Sequence, residues 1–281
     1  MHSTVSDGTD TPEELLQKVR AAGIGLFALT DHDAVKGYGR IVRLLRRDDP
    51  ELLSGVELSS RDEEGKYHIL GYGFDPDSPS MRRLMDLGHE YRMHKTRVGI
   101  ECLETVCHFS FPQEEIRRLL SQDNPGKPHI GNLMVKYGYA QTLEQAIHQI
   151  NQFHIPEEYV RPEEAIQAIL MGGGVPVLAH PSFGSGEERI VGDEMDRRLR
   201  RLMEFGLQGV EAFYSGFSAQ LRMEMLAFAE KYGLYVTAGS DYHGLNKPVL
   251  LGDTKLDQAQ EMPDGLKRFM ETMGRKLPGA G

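Results

Sequence analysis

The sequence predicts an α/β protein in which buried parallel strands alternate with helices around a barrel-like core. Short apolar runs rich in β-branched and aromatic residues follow helical stretches, which is typical of strands buried on both faces. Three of these runs, at 24–30, 175–179 and 234–238, end close to acidic or imidazole side chains. A His or Asp at the carboxyl end of such a strand lies where α/β barrels place their chemistry. We therefore expect repeated strand–helix units of the parallel class rather than an antiparallel fold.

The N-terminal part carries the first of these units. Thr11, Pro12 and Glu14 form the pattern of a capped helix start, and Gly23 is typical of a helix end. The next predicted elements are a strand at 24–30, a helix at 35–46, and strands at 52–58 and 67–74.

A helical insert, interpreted as a lid, is expected in the middle of the chain, because residues 75–156 contain no convincing buried strand. The spacing of apolar residues predicts short and long helices joined by a loop at 123–129. We therefore expect a first barrel part at 1–74, the insert at 75–156 and a second barrel part at 157–281. The helices predicted within the insert span 81–106, 113–121, 130–137 and 142–153.

The alternation resumes after the insert. Glycines at 172–174 end a predicted helix before a strand, and they lack the following Lys-Ser/Thr of a phosphate-binding loop. The predicted helices span 161–171, 193–205, 218–232 and 264–273, and the strands span 175–179, 209–213 and 234–238.

The composition is that of an acidic globular protein of 281 residues, with a formal net charge of −10 and 40% hydrophobic residues. This charge argues against a general polyanion-binding surface, so a phosphorylated substrate requires local cations or metal ions. Cys102 and Cys107 form no disulfide framework, which favours a reducing cytoplasm. The sequence shows no membrane-spanning run, no signal-peptide pattern and no feature of an obligate protein partner.

Imidazoles and carboxylates recur at the predicted strand ends and in the adjacent loops. A single His at a strand end is most often a hydrogen-bonded structural residue. Many such residues on separate elements, all expected on one face, favour a metal centre instead, and this mixture of ligands suits Zn, Mn or Fe. The eight candidate ligands are His2, Asp7, His32, Glu57, His68, His180, Asp241 and His243.

These residues lie in motifs that resemble those of the PHP (polymerase and histidinol phosphatase) family of metal-dependent phosphoesterases. The resemblance covers almost the whole chain in order, and it implies a distorted (β/α)7 barrel with two or three divalent metal ions. The motifs are His-Ser-x-x-Ser-Asp-Gly at 2–8, Thr-Asp-His-Asp at 30–33, Gly-Val-Glu at 55–57, His68, Ala-His-Pro at 179–181 and Gly-Ser-Asp-Tyr-His at 239–243.

The resemblance also implies a division of the ligands and a hydrolytic mechanism. A hydroxide that bridges two metal ions attacks phosphorus, and the ions stabilise the growing charge. Asp241 or His243 helps to move a proton to the leaving oxygen. The implied ligand sets are His2, Glu57 and Asp241 for one ion, Glu57, His68 and His180 for a second, and Asp7, His32 and His243 for a third.

The start of the sequence departs from the family pattern. The motif begins His-x-His, and here Met1 stands in the middle position and His2 in the last one. We expect the coding start to lie upstream, so that the first barrel strand is truncated and one ligand of the first metal ion is missing as the sequence stands. This hypothesis predicts weak occupancy of that metal site and an exposed barrel edge. Analysis of the native N-terminus tests it.

Three further residues are expected to bind substrate. Arg97 and His129 resemble the Arg and the Pro-His pair with which close relatives hold substrate phosphate, and Arg is suited to bidentate phosphate recognition. Ser182 follows the Ala-His-Pro motif, where a helix cap is the alternative role. Arg92 and Lys95 are equally consistent with a solvated helix face.

The expected activity is hydrolysis of a phosphate monoester of a small metabolite. The insert resembles that of enzymes acting on nucleotide 3',5'-bisphosphates and short RNA 5' ends. Three alternatives stay open at this point: a phosphodiesterase that opens a cyclic or terminal diester, a histidinol phosphatase, and a non-catalytic module that keeps the fold.

Overall fold

The computed structural model describes residues 1–153, 158–183 and 189–274, and this part of the chain contains seven strands and ten α-helices. The strands are β1 (Leu26–Ala28), β2 (Glu51–Leu53), β3 (Gly55–Asp62), β4 (Gly65–Tyr72), β5 (Val175–Leu178), β6 (Gly209–Tyr214) and β7 (Tyr235–Gly239). The helices are α1 (Pro12–Ala21), α2 (Lys36–Val42), α3 (Pro79–Val106), α4 (Gln113–Leu120), α5 (Lys127–Lys136), α6 (Leu143–Asn151), α7 (Pro162–Met171), α8 (Gly192–Glu204), α9 (Ala219–Tyr232) and α10 (Asp264–Gly274).

The strands form two sheets. A parallel pair contains β1 and β2, and a five-stranded sheet has the order β3-β4-β5-β6-β7. An isolated parallel bridge between His32 and Glu57 links the segment after β1 to β3. At the other side, the His2 N–H donates to the Tyr242 carbonyl at 2.8 Å, next to the end of β7. The two sheets are thereby joined where the candidate ligands lie.

The five-stranded sheet is mixed, although parallel strands were predicted. Strand β4 runs antiparallel to both β3 and β5, whereas β5, β6 and β7 are parallel. The cause is local, because residues 63–64 form a tight turn and strands joined by such a turn must run antiparallel. The predicted strand at 52–58 is also divided at Ser54, since β2 pairs with β1 while β3 pairs with β4.

The start of α1 follows the predicted capping pattern. The Thr11 hydroxyl accepts from the Glu14 N–H at 3.2 Å, and the Thr11 N–H donates to the Glu14 carboxylate at 2.8 Å. These two bonds satisfy backbone and side-chain groups at the helix end that would otherwise lack partners. The predicted cap is confirmed.

Helices α3 to α6 occupy the region of the expected insert, and they enclose a hydrophobic cluster of their own. Its buried members include Ile100, Leu103, Phe111, Ile130 and Met134. The division of the chain into barrel parts and insert stays a prediction, and its boundary at 156 and 157 lies outside the described residues. None of the described helices is both long and apolar enough to cross a bilayer.

The largest hydrophobic core joins the five-stranded sheet to the helices that follow the insert. Leu58 and Ile69 from the sheet, Ile166 from α7, Leu199 from α8 and Met225 from α9 are fully buried in it. Burial of each such side chain contributes about 1.5–3 kcal/mol relative to exposure. This packing holds the strand ends on which the site is built.

Candidate metal centre

The structure brings all eight candidate ligands together in one cluster. His32 follows β1, Glu57 lies in β3, His68 lies in β4, and His180 follows β5. Three groups of these side chains each place ligand atoms within 4.8 Å of one another. The groups are His2, Glu57 and Asp241; His32, Glu57 and His68; and His2, Asp7, His32 and His243.

The Glu57 carboxylate lies between imidazoles on both sides. Its Oε1 is 2.6 Å from His68 Nδ1 and 3.1 Å from His180 Nε2. Its Oε2 is 3.0 Å from His2 Nε2. The two oxygens therefore face different imidazoles, which is the arrangement that a carboxylate bridging two cations requires. The division of ligands implied by the family stays a prediction.

The Asp7 carboxylate lies among three imidazoles, those of His2, His32 and His243. Its Oδ1 lies 3.3 Å from His243 Nε2 and 3.6 Å from His2 Nδ1, and its Oδ2 lies 3.8 Å from His32 Nε2. The rings of His2 and His243 stack with centroids 3.9 Å apart. His2 thus faces both Asp7 and Glu57, whereas the family resemblance assigned it to the ion at Glu57 alone.

The donor atoms fit divalent metal ions. Asp7 Oδ1, His2 Nδ1 and His32 Nδ1 are buried and have no hydrogen-bond partner among the described residues. A buried polar atom without a partner costs about 1–3 kcal/mol, which coordination to a cation would offset. Imidazole nitrogens mixed with carboxylate oxygens are ligands that Zn, Mn and Fe accept.

The charges of the cluster are those of a metal-free site. Burial alone would lower the pKa of His2, but hydrogen bonds to Asp241 and Glu57 raise it to about 9. Burial would likewise lower the pKa of His180, which Glu57 raises to about 9. Burial would raise the pKa of Glu57 itself, yet imidazoles led by His32 hold it well below its usual range. The carboxylates of Asp7, Glu57 and Asp241 are ionised, and a cation would have to displace the protons of His2 and His180.

The backbone is strained at two of the candidate ligands. His180 has a φ of 28° and Asp241 a φ of 52°, which are left-handed values that residues with a Cβ adopt at a cost of roughly 1–3 kcal/mol. The His180 N–H donates to Glu211 Oε2 at 2.8 Å, which holds this turn in place. A Cβ at Gly239 would lie 2.1 Å from Glu211 Oε1, so the buried carboxyl requires glycine there.

A cavity of about 210 Å³ adjoins the cluster on the side of the insert. Its wall carries four cationic side chains, although the whole chain is acidic. The best defined is Arg92, whose Nε donates to Asp33 at 2.7 Å and whose terminal nitrogen donates to Ser59 at 3.1 Å. The cations Arg92, Lys66, Lys95 and Lys127 share this cavity with the candidate ligands Asp7, His32 and His68.

The three predicted substrate residues are placed differently. Arg97 is exposed on α3 and does not line the cavity. His129 is half-buried at the start of α5, where its Nδ1 accepts from the Gly126 N–H at 3.0 Å. Burial lowers the pKa of His129, against the opposing effect of Asp7. Ser182 is fully buried, and its hydroxyl has no hydrogen-bond partner within the described ranges. Their substrate-binding roles stay predictions.

Three residues beside the ligands were missed by the sequence analysis. Glu211 is a carboxylate within an apolar strand, and this pattern is a usable signal for a buried functional group. Tyr214 is the last residue of β6, and its hydroxyl donates to Asp241 Oδ2 at 3.3 Å. Its position at a strand end is the same signal that marked several of the candidate ligands. Lys247 forms an ion pair with Asp241 from a loop, and no sequence pattern marks it.

Comparison with known proteins agrees with this geometry. The family model of the PHP domain matches residues 1–160. A 3',5'-nucleoside bisphosphate phosphatase of Chromobacterium violaceum is 26% identical over 247 residues, which cover 86% of this chain and 85% of the relative. A 5'-3' exoribonuclease of Haemophilus influenzae is 25% identical, with 86% and 88% covered.

Two further similarities extend over nearly the whole chain. A phosphoribosyl 1,2-cyclic phosphate 1,2-diphosphodiesterase of Eggerthella lenta is 29% identical over 255 residues, with 87% of this chain and 92% of the relative covered. A crystal structure of a metal-dependent phosphoesterase from Bifidobacterium adolescentis matches with a TM-score of 0.83 at 27% identity, covering 96% of this chain and 93% of that one. These relatives share phosphoester hydrolysis but differ in the named substrate.

Proposed function

Because the chain belongs to the PHP domain family and is a metal-dependent phosphoesterase, we propose that it hydrolyses a phosphate monoester of a small phosphorylated metabolite. The proposed substrates are a nucleotide 3',5'-bisphosphate or a short RNA 5' end. The observation that carries the proposal is the cation-lined cavity directly beside the ligand cluster. A substrate whose scissile phosphate lies at the ligands has room there for a second anionic group.

The cations of the cavity are arranged to receive such a group. Lys95 Nζ donates to the Tyr159 hydroxyl at 2.6 Å and lies 4.5 Å from its ring centroid. Lys66 lies 5.0 Å from the centroid of the same ring. Two ammonium groups are thus held beside one aromatic ring at the cavity wall. The acidic charge of the whole chain confines anion binding to such local sites.

We propose that two or three divalent ions, Mn, Zn or Fe, are held by the eight candidate ligands within a distorted (β/α)7 barrel. When bound, such ions polarise the P–O bonds and lower the pKa of the water that attacks phosphorus. Glu57 orients the cluster, since its two oxygens face imidazoles on opposite sides. We also propose a cytoplasmic location, which the unpaired Cys102 and Cys107 support.

The protein side of proton transfer is assigned to two residues as a proposal. His243 Nδ1 lies 2.8 Å from the Asp241 carbonyl, which fixes a proton on Nδ1 and directs Nε2 towards Asp7. The Asp241 side chain is ionised: burial would raise its pKa, but Lys247, His2 and His243 together hold that pKa well below the usual range. We propose that His243, whose ring the Asp241 carbonyl orients, helps to move a proton to the leaving oxygen, while the ionised Asp241 side chain serves as a ligand.

The experiment that tests this function is phosphate release by the Mn²⁺-loaded chain over a panel of substrates. The panel contains adenosine 3',5'-bisphosphate, an aryl phosphate, histidinol phosphate and a cyclic phosphodiester. We expect kcat/KM to be at least tenfold higher for the bisphosphate than for the aryl phosphate. Equal rates on both would contradict a role for the cavity in recognising a second anionic group.

A second function is favoured by one specific observation, the 29% identity to the Eggerthella lenta phosphodiesterase. Opening of the cyclic diester with no release from monoesters would favour that activity over the proposed one. Preferential release of phosphate from histidinol phosphate would identify the chain as a histidinol phosphatase instead.

A further inference from the structure

The two oxygens of the Asp241 carboxylate have different surroundings. Oδ1 faces the cluster, 3.2 Å from His2 Nε2 and 3.5 Å from His243 Nδ1. Oδ2 faces away from these imidazoles and is bound by Lys247 Nζ and the Tyr214 hydroxyl. One oxygen is therefore directed at the position of a cation, and the other is already engaged by protein donors.

The ion pair with Lys247 distinguishes Asp241 from the two other candidate carboxylates, Asp7 and Glu57. Among the described residues, the ion pairs of Asp7 and Glu57 are made with imidazoles only. Asp241 alone is paired in addition with an ammonium group, that of Lys247. Its side chain is 8% exposed, so this charge acts on it with little screening by solvent.

The backbone that carries Lys247 is anchored to the segment holding Asp7. The Asn246 amide donates to the Asp7 carbonyl at 2.7 Å, and the Leu245 N–H donates to the Thr9 hydroxyl at 2.9 Å. Gly244 has a φ of 65° and no room for a Cβ, which would lie 2.0 Å from that hydroxyl. The Lys247 ammonium is thus presented to Asp241 from a fixed loop, although its side chain is 40% exposed.

We propose that Lys247 is a positioning residue for metal binding, which with Tyr214 restricts Asp241 to ligation through Oδ1. This inference rests on the proposed ligand set, and it goes beyond it by assigning a role to a residue outside that set. Donors on the outer oxygen of a ligating carboxylate fix its rotamer, and their loss typically weakens metal affinity about ten- to hundredfold. Asp241 needs this support because its backbone is strained and a free carboxylate can turn.

A competing effect of Lys247 has the opposite sign. An ammonium beside the carboxylate repels an incoming divalent cation, so its removal would strengthen metal binding if orientation were unimportant. The sign of the change in affinity therefore separates a positioning role from simple charge compensation.

The test is a titration of the metal-free chain with Mn²⁺, followed by the electron paramagnetic resonance signal of the free ion. We expect Lys247→Met to weaken one binding step about tenfold or more, and Lys247→Arg to restore it to within about threefold, because Arg keeps a charged donor. Tyr214→Phe removes the neutral donor from the same oxygen and is the matched variant with a smaller expected loss. Far-ultraviolet circular dichroism of each metal-free variant verifies the fold.

Mn²⁺ binding by Lys247→Met that is as tight as in the wild type, or tighter, would overturn the proposal. The same holds if Lys247→Arg binds Mn²⁺ as weakly as Lys247→Met while both remain folded. The titration contains no substrate, so its outcome is independent of which phosphoester the enzyme hydrolyses. A wild-type chain that binds Mn²⁺ but releases no phosphate would refute the proposed function and leave this inference standing.

Discussion

The two sides of the site are built in different ways. On the sheet side, side chains such as His32, His180 and Asp241 lie at or just beyond strand ends, held by backbone hydrogen bonds of neighbouring strands. On the insert side, the cations Arg92 and Lys95 project from the long helix α3. A strand end fixes where its residue lies once the sheet order is known, whereas the position of a helical side chain depends on the packing of that helix.

This difference predicts different consequences of substitution. The candidate ligands on the sheet side contact one another, so loss of one disturbs several others. The cations on the insert side line the cavity as separate side chains, and each is expected to contribute a smaller share of the substrate-binding free energy. The predictions below test that contrast from the largest expected effect to the smallest.

Substitution of the central carboxylate is expected to have the largest effect. Glu57→Gln keeps the shape but removes the charge that faces three imidazoles, and we expect phosphate release to fall by at least ~10³-fold. Initial rates at saturating Mn²⁺ measure the change, with the exposed Glu114→Gln as the control. Activity of Glu57→Gln within tenfold of wild type would contradict a shared carboxylate at the centre of the site.

Metal affinity of the sheet side is expected to rise with pH. The pKa values of His2 and His180 are raised to about 9 in the metal-free chain, so a cation must displace their protons at neutral pH. Each displaced proton makes binding about tenfold tighter per pH unit up to the pKa. Calorimetric Mn²⁺ titrations between pH 6.5 and 8.5, in buffers of different ionisation enthalpy, measure the proton release. Binding without proton release would show that these imidazoles are already neutral.

A conservative change on the insert side is expected to be milder. Arg92→Lys keeps a charge beside the buried Asp33 but loses the planar fork that also reaches Ser59, so kcat/KM is expected to fall about tenfold with unchanged Mn²⁺ content. Arg97→Lys is the matched change on the exposed side of the same helix. A larger loss for Arg97→Lys would favour the role that the sequence predicted for Arg97 over the position of Arg92 in the structure.

The smallest effect is expected at the buried Glu211, and it concerns stability. Burial raises the pKa of Glu211 to about 7 in the folded chain, above its value of 4.5 when exposed. The folded state then holds a proton that the unfolded state releases, so stability falls as pH rises from about 4.5 to 7.

Glu211→Gln removes this titration. We expect its free energy of unfolding, relative to that of the wild type, to increase by about 1–2 kcal/mol from pH 5 to pH 8. Urea unfolding of both metal-free chains at these two pH values gives the difference. The exposed Glu204→Gln should shift neither curve. An equal pH dependence in wild type and Glu211→Gln would contradict the raised pKa.

The sheet side of the site was also easier to predict from the sequence than the insert side. The identity of the family and the convergence of the eight candidate ligands follow from short motifs. His180 and Asp241 come just after β5 and β7 as expected, whereas Glu57 and His68 lie within β3 and β4. The antiparallel course of β4 does not follow from its apolar run, since periodicity does not report strand direction. The short polar segment Asp-Glu-Glu-Gly at 62–65, which ends in a glycine, was the available signal for a hairpin.

The contacts around the ligands were less predictable. Lys247 reaches Asp241 only because Asn246 and Leu245 anchor their loop to a segment more than two hundred residues earlier in the chain. Such a contact depends on tertiary structure and leaves no local pattern. Arg92, in contrast, was recognised as a cation of α3, but its side of the helix became evident only from its packing against Asp33.

The central claim is that the clustered imidazoles and carboxylates hold divalent ions beside the cavity, and anomalous diffraction from crystals soaked in Mn²⁺ tests it most directly. The account predicts at least two strong anomalous peaks, with Glu57 coordinated to both and Asp241 bound through Oδ1. Anomalous peaks only at surface carboxylates, with His2 and His180 still in direct contact with Glu57, would contradict it.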